Sequence, residues 1–336
     1  MKQIIAERAG GPEVLRMVEE EIPEPGQSEV RVKVLVAGVA FGDLLWMSGV
    51  VPGGPKPPFS PGYDFVGVVD KLGAGTVGLE LGQRVAALVR TGGYAEYSCW
   101  PAEALTPLND DLDPAQQICL TLNYVTAYAL VTRIGKLETG GRVLVHGAGG
   151  GMGTAMLDLC RMMGIQTFGT ASRGKHELVE SLGGIPIDYK SEDFVEVVKR
   201  DGGVDLVVDH IGGSHLARSF KCLRPGGTLV STSSYAAALG KSGTLETVGG
   251  LLRIQLWNLW PNGRSAQLFD VTPYYKKNPG MYTQDLLLLS DHLAKGQLHP
   301  VIDTTFPLEE GRHALEYLRD GKARGKVVLL TEAYKS

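Results

Sequence analysis

The first 140 residues contain no histidine, and the four cysteines of the 336-residue chain (Cys99, Cys119, Cys160, Cys222) lie far apart with no Cys-x-x-Cys pair. A zinc centre of the common kind needs His and Cys at close ligand spacing. None of the seven histidines (His146, His176, His210, His215, His292, His299, His313) stands in such a cluster, so the sequence points away from a bound metal. The scattered thiols read as reduced, as in a cytosol, and not as a disulfide framework. No run approaches the roughly 18 uncharged apolar residues of a membrane span. Met1–Arg8 shows no signal-peptide pattern either. The expectation is a cytoplasmic protein with no integral membrane segment. Charge of neither sign dominates: 33 Lys and Arg stand against 37 Asp and Glu, a formal net charge of −4. That balance gives no electrostatic reason to expect nucleic acid or an anionic membrane as partner.

Glycine is abundant, at 45 residues, and the chain shows two textures. Up to about residue 120, strand-like runs such as Val30–Val36, Gly67–Val69 and Arg84–Val89 alternate with Gly- and Pro-rich turns, densest over 51–62. Many short strands with turn signals predict a compact, mostly β, barrel-like domain. From about 121 to 265 the rhythm is strand, helix, strand. Strands are expected at Arg142–His146, Gln166–Thr170, Val204–Asp209 and Gly227–Ser231, and helices at Thr154–Met163 and Lys175–Leu182. Apolar strands separated by helices predict a doubly wound parallel sheet. The stretch 236–283 holds Trp257, Trp260, Phe269, Tyr274, Tyr275 and Tyr282. It reads as a helical excursion packed on this domain or on a second subunit, with a substrate lid as the sharper alternative. The tail from Gln297 to Leu330 returns to strand–helix–strand and would complete the first domain.

Between the strand Arg142–His146 and the helix after it lies Gly147-Ala148-Gly149-Gly150-Gly151-Met152-Gly153. A dinucleotide pyrophosphate needs backbone N–H donors and a helix N-terminus brought close, which only residues without bulk permit. The strand–loop–helix context, with a second βα unit following, makes this run a dinucleotide loop. The end of the next strand selects the dinucleotide. A site for NAD places Asp or Glu about 20 residues past the glycines. Here the segment reads Phe168-Gly-Thr170-Ala-Ser172-Arg173-Gly-Lys175, with no acid. Ser172 offers a hydroxyl, and Arg173 and Lys175 offer positive charge for a 2′-phosphate, so the expected cofactor is NADPH. His146 and His210 end strands beside the same cleft and are candidates for cofactor contact or for packing.

Without a metal, Lewis-acid activation of a simple alcohol is unavailable. A conjugated carbonyl or a quinone is the easier substrate, because its π system accepts hydride and delocalises the charge.

Five segments resemble the medium-chain dehydrogenase/reductase superfamily, in its zinc-free quinone oxidoreductase (zeta-crystallin-like) branch. They are Ala37–Asp43 (AGVAFGD), Pro61–Gly67 (PGYDFVG), Gly92–Tyr97 (GGYAEY), Val143–Gly153 preceded by Leu122–Tyr128, and Gly325–Val328 (GKVV). The resemblance implies an α/β protein with a GroES-like β-barrel catalytic domain, residues 1–121 and 290–336, plus a Rossmann doubly wound parallel-sheet domain, residues 122–289, with an aromatic insert near 251–282. It implies a homodimer acting on a small molecule. It also implies that Ala40 and Tyr63 occupy the positions of a catalytic cysteine and a metal-binding histidine in zinc-dependent relatives, and that the lobe for four structural cysteines is missing between Val89 and Tyr97. The branch often carries Asn where this chain has Ala40, so an amide that would orient a quinone is absent. By the same resemblance Tyr189 lies near the adenine or the 2′-phosphate and Thr126 approaches the nicotinamide. Asp209, His210, Ile211 and Gly212, then Ser231, Thr232 and Ser233, and finally Lys326 line the cofactor.

Hydride transfer needs positioning above all, and the resulting enolate must be stabilised and protonated. A neutral phenol can donate to a developing oxyanion. Tyr63 is the first candidate, followed by Tyr124 and Tyr128; Asp43 and Asp64 read as structural acceptors. The expected function is reduction of quinones or α,β-unsaturated carbonyl compounds with NADPH. Two alternatives stay open: a dinucleotide-binding structural or interaction protein of the same fold, and an alcohol dehydrogenase with an unrecognised metal site.

Overall fold

The structure, a computed structural model, describes residues 1–51, 53–232, 244–259, 261 and 263–334. Ser233 and Trp260, both singled out above, lie outside the described residues. The chain divides into two compact units, one made of Met1–Val125, Asn278–Gly296 and Pro300–Ser336, the other of Thr126–Lys277 and Gln297–His299. The sequence expectation drew its boundaries at 121/122 and 289/290.

In chain order the first unit begins with β1 (Lys2–Ala6), β2 (Leu15–Glu19), β3 (Glu29–Val39), β4 (Asp64–Leu72), β5 (Arg84–Leu88), β6 (Tyr97–Pro101) and β7 (Thr106–Pro107). The second unit supplies β8 (Arg142–His146), β9 (Gln166–Ala171), β10 (Ile185–Asp188), β11 (Val204–Asp209), β12 (Leu223–Ser231) and β13 (Ser265–Leu268). The chain then returns to the first unit with β14 (Ile302–Pro307) and β15 (Lys326–Leu330).

The first unit carries a seven-stranded sheet in the order β14-β15-β3-β4-β5-β7, with β6 also on β3, and a separate β1–β2 pair. Its central strand β3 shows why. Val30, Val32 and Val34 are fully buried and alternate with half-exposed Arg31 and Lys33, the period-2 pattern of a strand with one dry face. From Leu35 onward every residue is buried; Val36 and Ala37 pair with both β15 and β4, and Gly38 and Val39 with β15. The helix Pro279–Ala294 belongs to this unit: the Tyr282 hydroxyl donates to the Thr121 carbonyl at 3.0 Å, and the hydroxyls of Thr106 and Thr283 lie 3.3 Å apart.

The second unit is a six-stranded sheet in the order β10-β9-β8-β11-β12-β13. Every pairing in it is parallel. Numbered within the sheet this is 3-2-1-4-5-6, the doubly wound order in which the chain reverses direction between β8 and β11. The strands are apolar on both faces (Val143, Leu144, Val145, Leu206, Val207 and Val208 are fully buried) because helices cover both sides.

The stretch read as an aromatic excursion holds the helix Thr244–Leu259, the sixth strand β13 and the helix Val271–Lys276. Its strand, Ser-Ala-Gln-Leu, is short and mostly exposed at the sheet edge, so it carries no apolar periodicity to read. The aromatics serve packing. Trp257 stacks on Phe220 with centroids 4.3 Å apart and planes 8° apart. Phe269, Tyr275 and Tyr282 are buried. No helix among the described residues is long and apolar enough to cross a membrane.

Candidate active site: a glycine loop in one unit and a charged cluster in the other

The glycine loop sits where the sheet order reverses. Gly147 has φ +68°, a conformation that favours glycine, and accepts from the Gly150 amide at 3.0 Å. The helix Gly151–Met162 starts immediately after, and its first intrahelical bond runs from the Thr154 amide to the Gly150 carbonyl at 2.8 Å. The amides of Gly151, Met152 and Gly153 therefore belong to the first turn, whose donors have no intrahelical acceptor. At Gly153 a side chain is excluded by backbone, and at Gly149 one would displace the Lys175 stem. A Cβ at Gly153 would lie 2.5 Å from the backbone of Ala148, and one at Gly149 would lie 2.7 Å from the Lys175 Cδ. The Lys175 stem thus lies over the loop, and the buried Ala148 is held by its amide on the Thr170 carbonyl at 2.9 Å. These features fit a dinucleotide: a bare cradle, a helix N-terminus and a cation beside them.

Around this loop the sheet brings most of the expected cofactor residues to the carboxyl ends of its strands. Thr170 is in β9, and the turn Ser172–Lys175 follows, with Arg173 exposed and Ser172 and Lys175 half-buried. Tyr189 follows β10 and is 57% exposed, which leaves its ring available to stack. Asp209 ends β11, and its Oδ1 accepts from the amides of Ile211 and Gly212 at 2.8 and 2.9 Å. Ser231 ends β12 and Thr232 follows it; the Thr232 amide donates to the Asp209 carbonyl at 3.1 Å, and its hydroxyl is 2.5 Å from His210 Nδ1. Thr126 lies in the short helix Val125–Tyr128, flanked by π-helical turns at Leu120–Tyr124 and Ala129–Ile134. Such turns are rare and often mark sites. The buried Thr126 Oγ1 has no hydrogen-bond partner among the described residues, an orphan polar atom that a ligand amide would satisfy.

Sequence reasoning missed the polar layer beneath the loop. His146 is fully buried, with Nδ1 3.0 Å from the Thr170 hydroxyl and Nε2 3.0 Å from the Ser219 hydroxyl. Ser219 reaches Asp209 Oδ2 at 2.6 Å, and His215 Nδ1 reaches the same oxygen at 2.9 Å. Burial pushes His146 down to about 3 and His210 down to about 4. Burial alone would raise Asp209, but the His215 hydrogen bond and neighbouring imidazoles hold it well below the usual carboxylate range. His146, Asp209 and His215 also form the one group of three metal-ligating side chains among the described residues whose ligand atoms come together. Both His146 nitrogens already face hydroxyls, so their present geometry is that of a hydrogen-bond network. Ser219 and His215 carry no sequence signal beyond their i, i+4 spacing in a helix after Gly212-Gly213.

Tyr63, Tyr124 and Lys326 belong to the first unit, and Tyr128 to the second. Tyr63 and Tyr124 are buried, at 7% and 2% exposure. The Tyr63 ring covers Gly42, where a Cβ would fall 2.7 Å from the ring, and its carbonyl accepts from the amides of Val89 and Arg90 at 2.9 and 3.1 Å. Half-buried Tyr128 lies under the Arg133 guanidinium, 5.8 Å from its centroid. Asp43 clamps the two segments that carry Ala40 and Tyr63: it accepts from the amides of Ala40 (2.9 Å) and Gly62 (3.1 Å) and from the Tyr94 hydroxyl (2.9 Å). Burial pushes Asp43 up to about 7 against those three donors. Lys326 is 3% exposed, and its ammonium lies 3.1 and 3.4 Å from the two oxygens of fully buried Asp64. A Cβ at Gly38 would collide with both members of that pair.

Residues 26–110 match the alcohol dehydrogenase GroES-like domain family, and residues 184–329 match the zinc-binding dehydrogenase family. A mouse synaptic vesicle membrane protein VAT-1 homolog-like is 30% identical over 357 residues, covering 99% of this chain and 82% of that protein. A 2-haloacrylate reductase from a Burkholderia species is 32% identical over 344 residues, covering 98% of each. Among solved structures, a quinone oxidoreductase of Pseudomonas syringae superposes with a TM-score of 0.87 at 26% identity, covering 98% of this chain and 99% of that one. A mycobacterial protein complexed with NADPH superposes with a TM-score of 0.86 at 25% identity, covering 98% of this chain and all of that one. The fold and the matches together define a two-unit α/β oxidoreductase architecture, GroES-like and Rossmann. The chain belongs to the medium-chain dehydrogenase/reductase superfamily, in its zinc-free, quinone oxidoreductase-like branch.

Proposed function

We propose that this protein is a zinc-independent, NADPH-dependent reductase that delivers hydride to quinones or α,β-unsaturated carbonyl compounds. The observation that carries the proposal is a bare glycine loop on a helix N-terminus beside a strand end that has bases and no acid. In this reading the amides of 147–153 hold the pyrophosphate, and Ser172, Arg173 and Lys175 hold the 2′-phosphate. Tyr189 covers the adenine side. Thr126 satisfies its orphan hydroxyl on the nicotinamide amide, and Asp209, His210, Ile211, Ser231 and Thr232 complete the lining within the second unit. NADPH supplies the hydride. Tyr63 donates to the oxyanion that develops on the substrate carbonyl, with Tyr124 and Tyr128 as the next candidates, and water or a phenol returns the proton. The names of two relatives support an electron-poor acceptor: a 2-haloacrylate is an activated alkene, and a quinone a conjugated dicarbonyl.

The reading places the protein in the cytoplasm, its thiols free, and as a homodimer. Exposed Leu252, Leu256 and Leu259 recur along one helix, and Leu268 is exposed in edge strand β13, apolar surface that a second copy would cover. Light scattering on the purified protein tests the dimer.

The activity is tested by NADPH oxidation over a panel of quinones, enones and enoyl thioesters. NADPH should be favoured over NADH, and Arg173→Ala and Lys175→Ala should each weaken NADPH about tenfold while leaving NADH within about twofold. Equal losses for both cofactors would end the 2′-phosphate assignment. Tight NADPH binding without turnover of any acceptor would favour a dinucleotide-binding interaction protein instead.

A further inference from the structure

The layer beneath the glycine loop has a determinable hydrogen-bond direction. Asp209 is ionised, so its oxygens only accept. Ser219 lies 2.6 Å from Asp209 Oδ2 and 3.3 Å from His215 Nδ1, but Nδ1 itself donates to Asp209 Oδ2 at 2.9 Å, so the single Ser219 proton goes to the carboxylate. Its oxygen can then only accept from His146 Nε2 at 3.0 Å, which places a proton on Nε2. The His146 ring has no exposed surface and no carboxylate on either nitrogen, so it is neutral and Nδ1 is bare. Thr170 must donate to that Nδ1 at 3.0 Å, and its oxygen faces the Gly147 amide at 3.4 Å. The bonds therefore run one way: Gly147 to Thr170 to His146 to Ser219 to Asp209. They start at the first glycine of the loop and end at the carboxylate whose other oxygen holds the amides of Ile211 and Gly212. The ring is fixed by edge contacts to Phe194 and His215, with centroids 4.9 and 4.4 Å away.

We infer that His146, as the neutral Nε2–H tautomer, and Ser219 are positioning residues that lock the glycine loop to the 209–212 loop and so preorganise the cofactor cleft. They act through other groups and touch neither substrate nor hydride. A neutral imidazole suits the place: it couples three strand ends while adding no charge beneath amides that are to hold an anion. The charged or titratable groups that face the ring are Asp209, His210, His215 and Arg218.

The affinity part of this inference rests on the NADPH reading, whereas the tautomer does not, so two measurements separate them. With 15N-histidine labelling, one of the seven ring systems should show a protonated Nε2 and a bare Nδ1, without change from pH 5 to 9, and should vanish in His146→Phe. A proton on Nδ1, a charged ring, or a divalent ion bound through Nε2 would overturn the assignment whatever the cofactor. In the second measurement, His146→Phe and Ser219→Ala should each raise the Kd and KM for NADPH about tenfold, leave kcat at saturating NADPH within about twofold, and combine less than additively. Ser219→Thr, which keeps the hydroxyl, should restore affinity. Ser219→Ala removes one atom, so it reports even where the histidine variant fails to fold. Unchanged NADPH affinity in Ser219→Ala, or an equal fall in kcat, would refute the positioning role.

Discussion

In the first unit the buried polar cluster contains an ion pair, Lys326 with Asp64, and beside it the Asp43 carboxyl, held by two amides and the Tyr94 hydroxyl. In the second, a single carboxylate, Asp209, closes a file of hydroxyls and a neutral imidazole. This first cluster ties together segments remote in sequence, around residues 38, 43, 62–64, 94 and 326, with the ion pair joining β4 to the C-terminal strand β15. The neutral file joins strand ends that the sheet already aligns, and there direction matters more than strength.

The comparison breaks first at the ion pair. Lys326→Met leaves a fully buried carboxylate without its cation and should cost about 3–5 kcal/mol in urea unfolding, whereas Lys326→Met with Asp64→Leu should recover most of it. A harmless single variant would show that the pair does not hold the first unit together.

Acid stability sharpens it. The folded pKa of Asp43 is raised to about 7 from the ordinary 3.8. The native chain holds the extra proton between those values, so this contribution is lost as pH rises through about 7. His146 is the reverse: its folded pKa falls to about 3 from 6.5, so its contribution is present above about 6.5 and is lost as pH falls toward 3. His210 acts in the same direction as His146. Between pH 4 and 6.5, His146→Gln should therefore flatten the loss of stability on acidification and Asp43→Asn should steepen it, each on the order of 1 kcal/mol per pH unit at most. Parallel profiles for the two variants would erase the distinction.

The smallest effect concerns the His146, Asp209 and His215 group. If it serves as a hydrogen-bond network, chelator treatment should leave activity within about twofold and metal analysis should find less than stoichiometric metal. A stoichiometric divalent ion would revive the metal-dependent dehydrogenase alternative.

Much of the second unit was legible because its strands are uniformly apolar and its loop is punctuated by glycine. Arg142–His146 and Val204–Asp209 stand where their hydrophobic runs begin and end. The helix after the loop starts at Gly151, three residues before the expected Thr154, because its N-terminal turn is the glycine loop itself and carries no apolar periodicity. Strand β13 escaped the sequence because three of its four residues are exposed at the sheet edge and one buried alanine makes no pattern. Asp43 reads as a structural acceptor from the sequence, but its donors and the His146 file escaped for another reason: each joins residues far apart in the chain, and single hydroxyls such as Ser219 and Tyr94 carry chemistry only once the fold supplies their partner.

The central claim is hydride transfer from NADPH to an electron-poor acceptor. NADPH labelled with deuterium at the transferring position of C4, incubated with the protein and a cyclic enone, tests it most directly by mass spectrometry and NMR of the product. The account predicts one deuterium on the β-carbon of the enone, with much slower transfer from labelled NADH. Transfer at equal rates from both cofactors, or no deuterium in any enone product together with no NADPH-dependent quinone reduction, would contradict it.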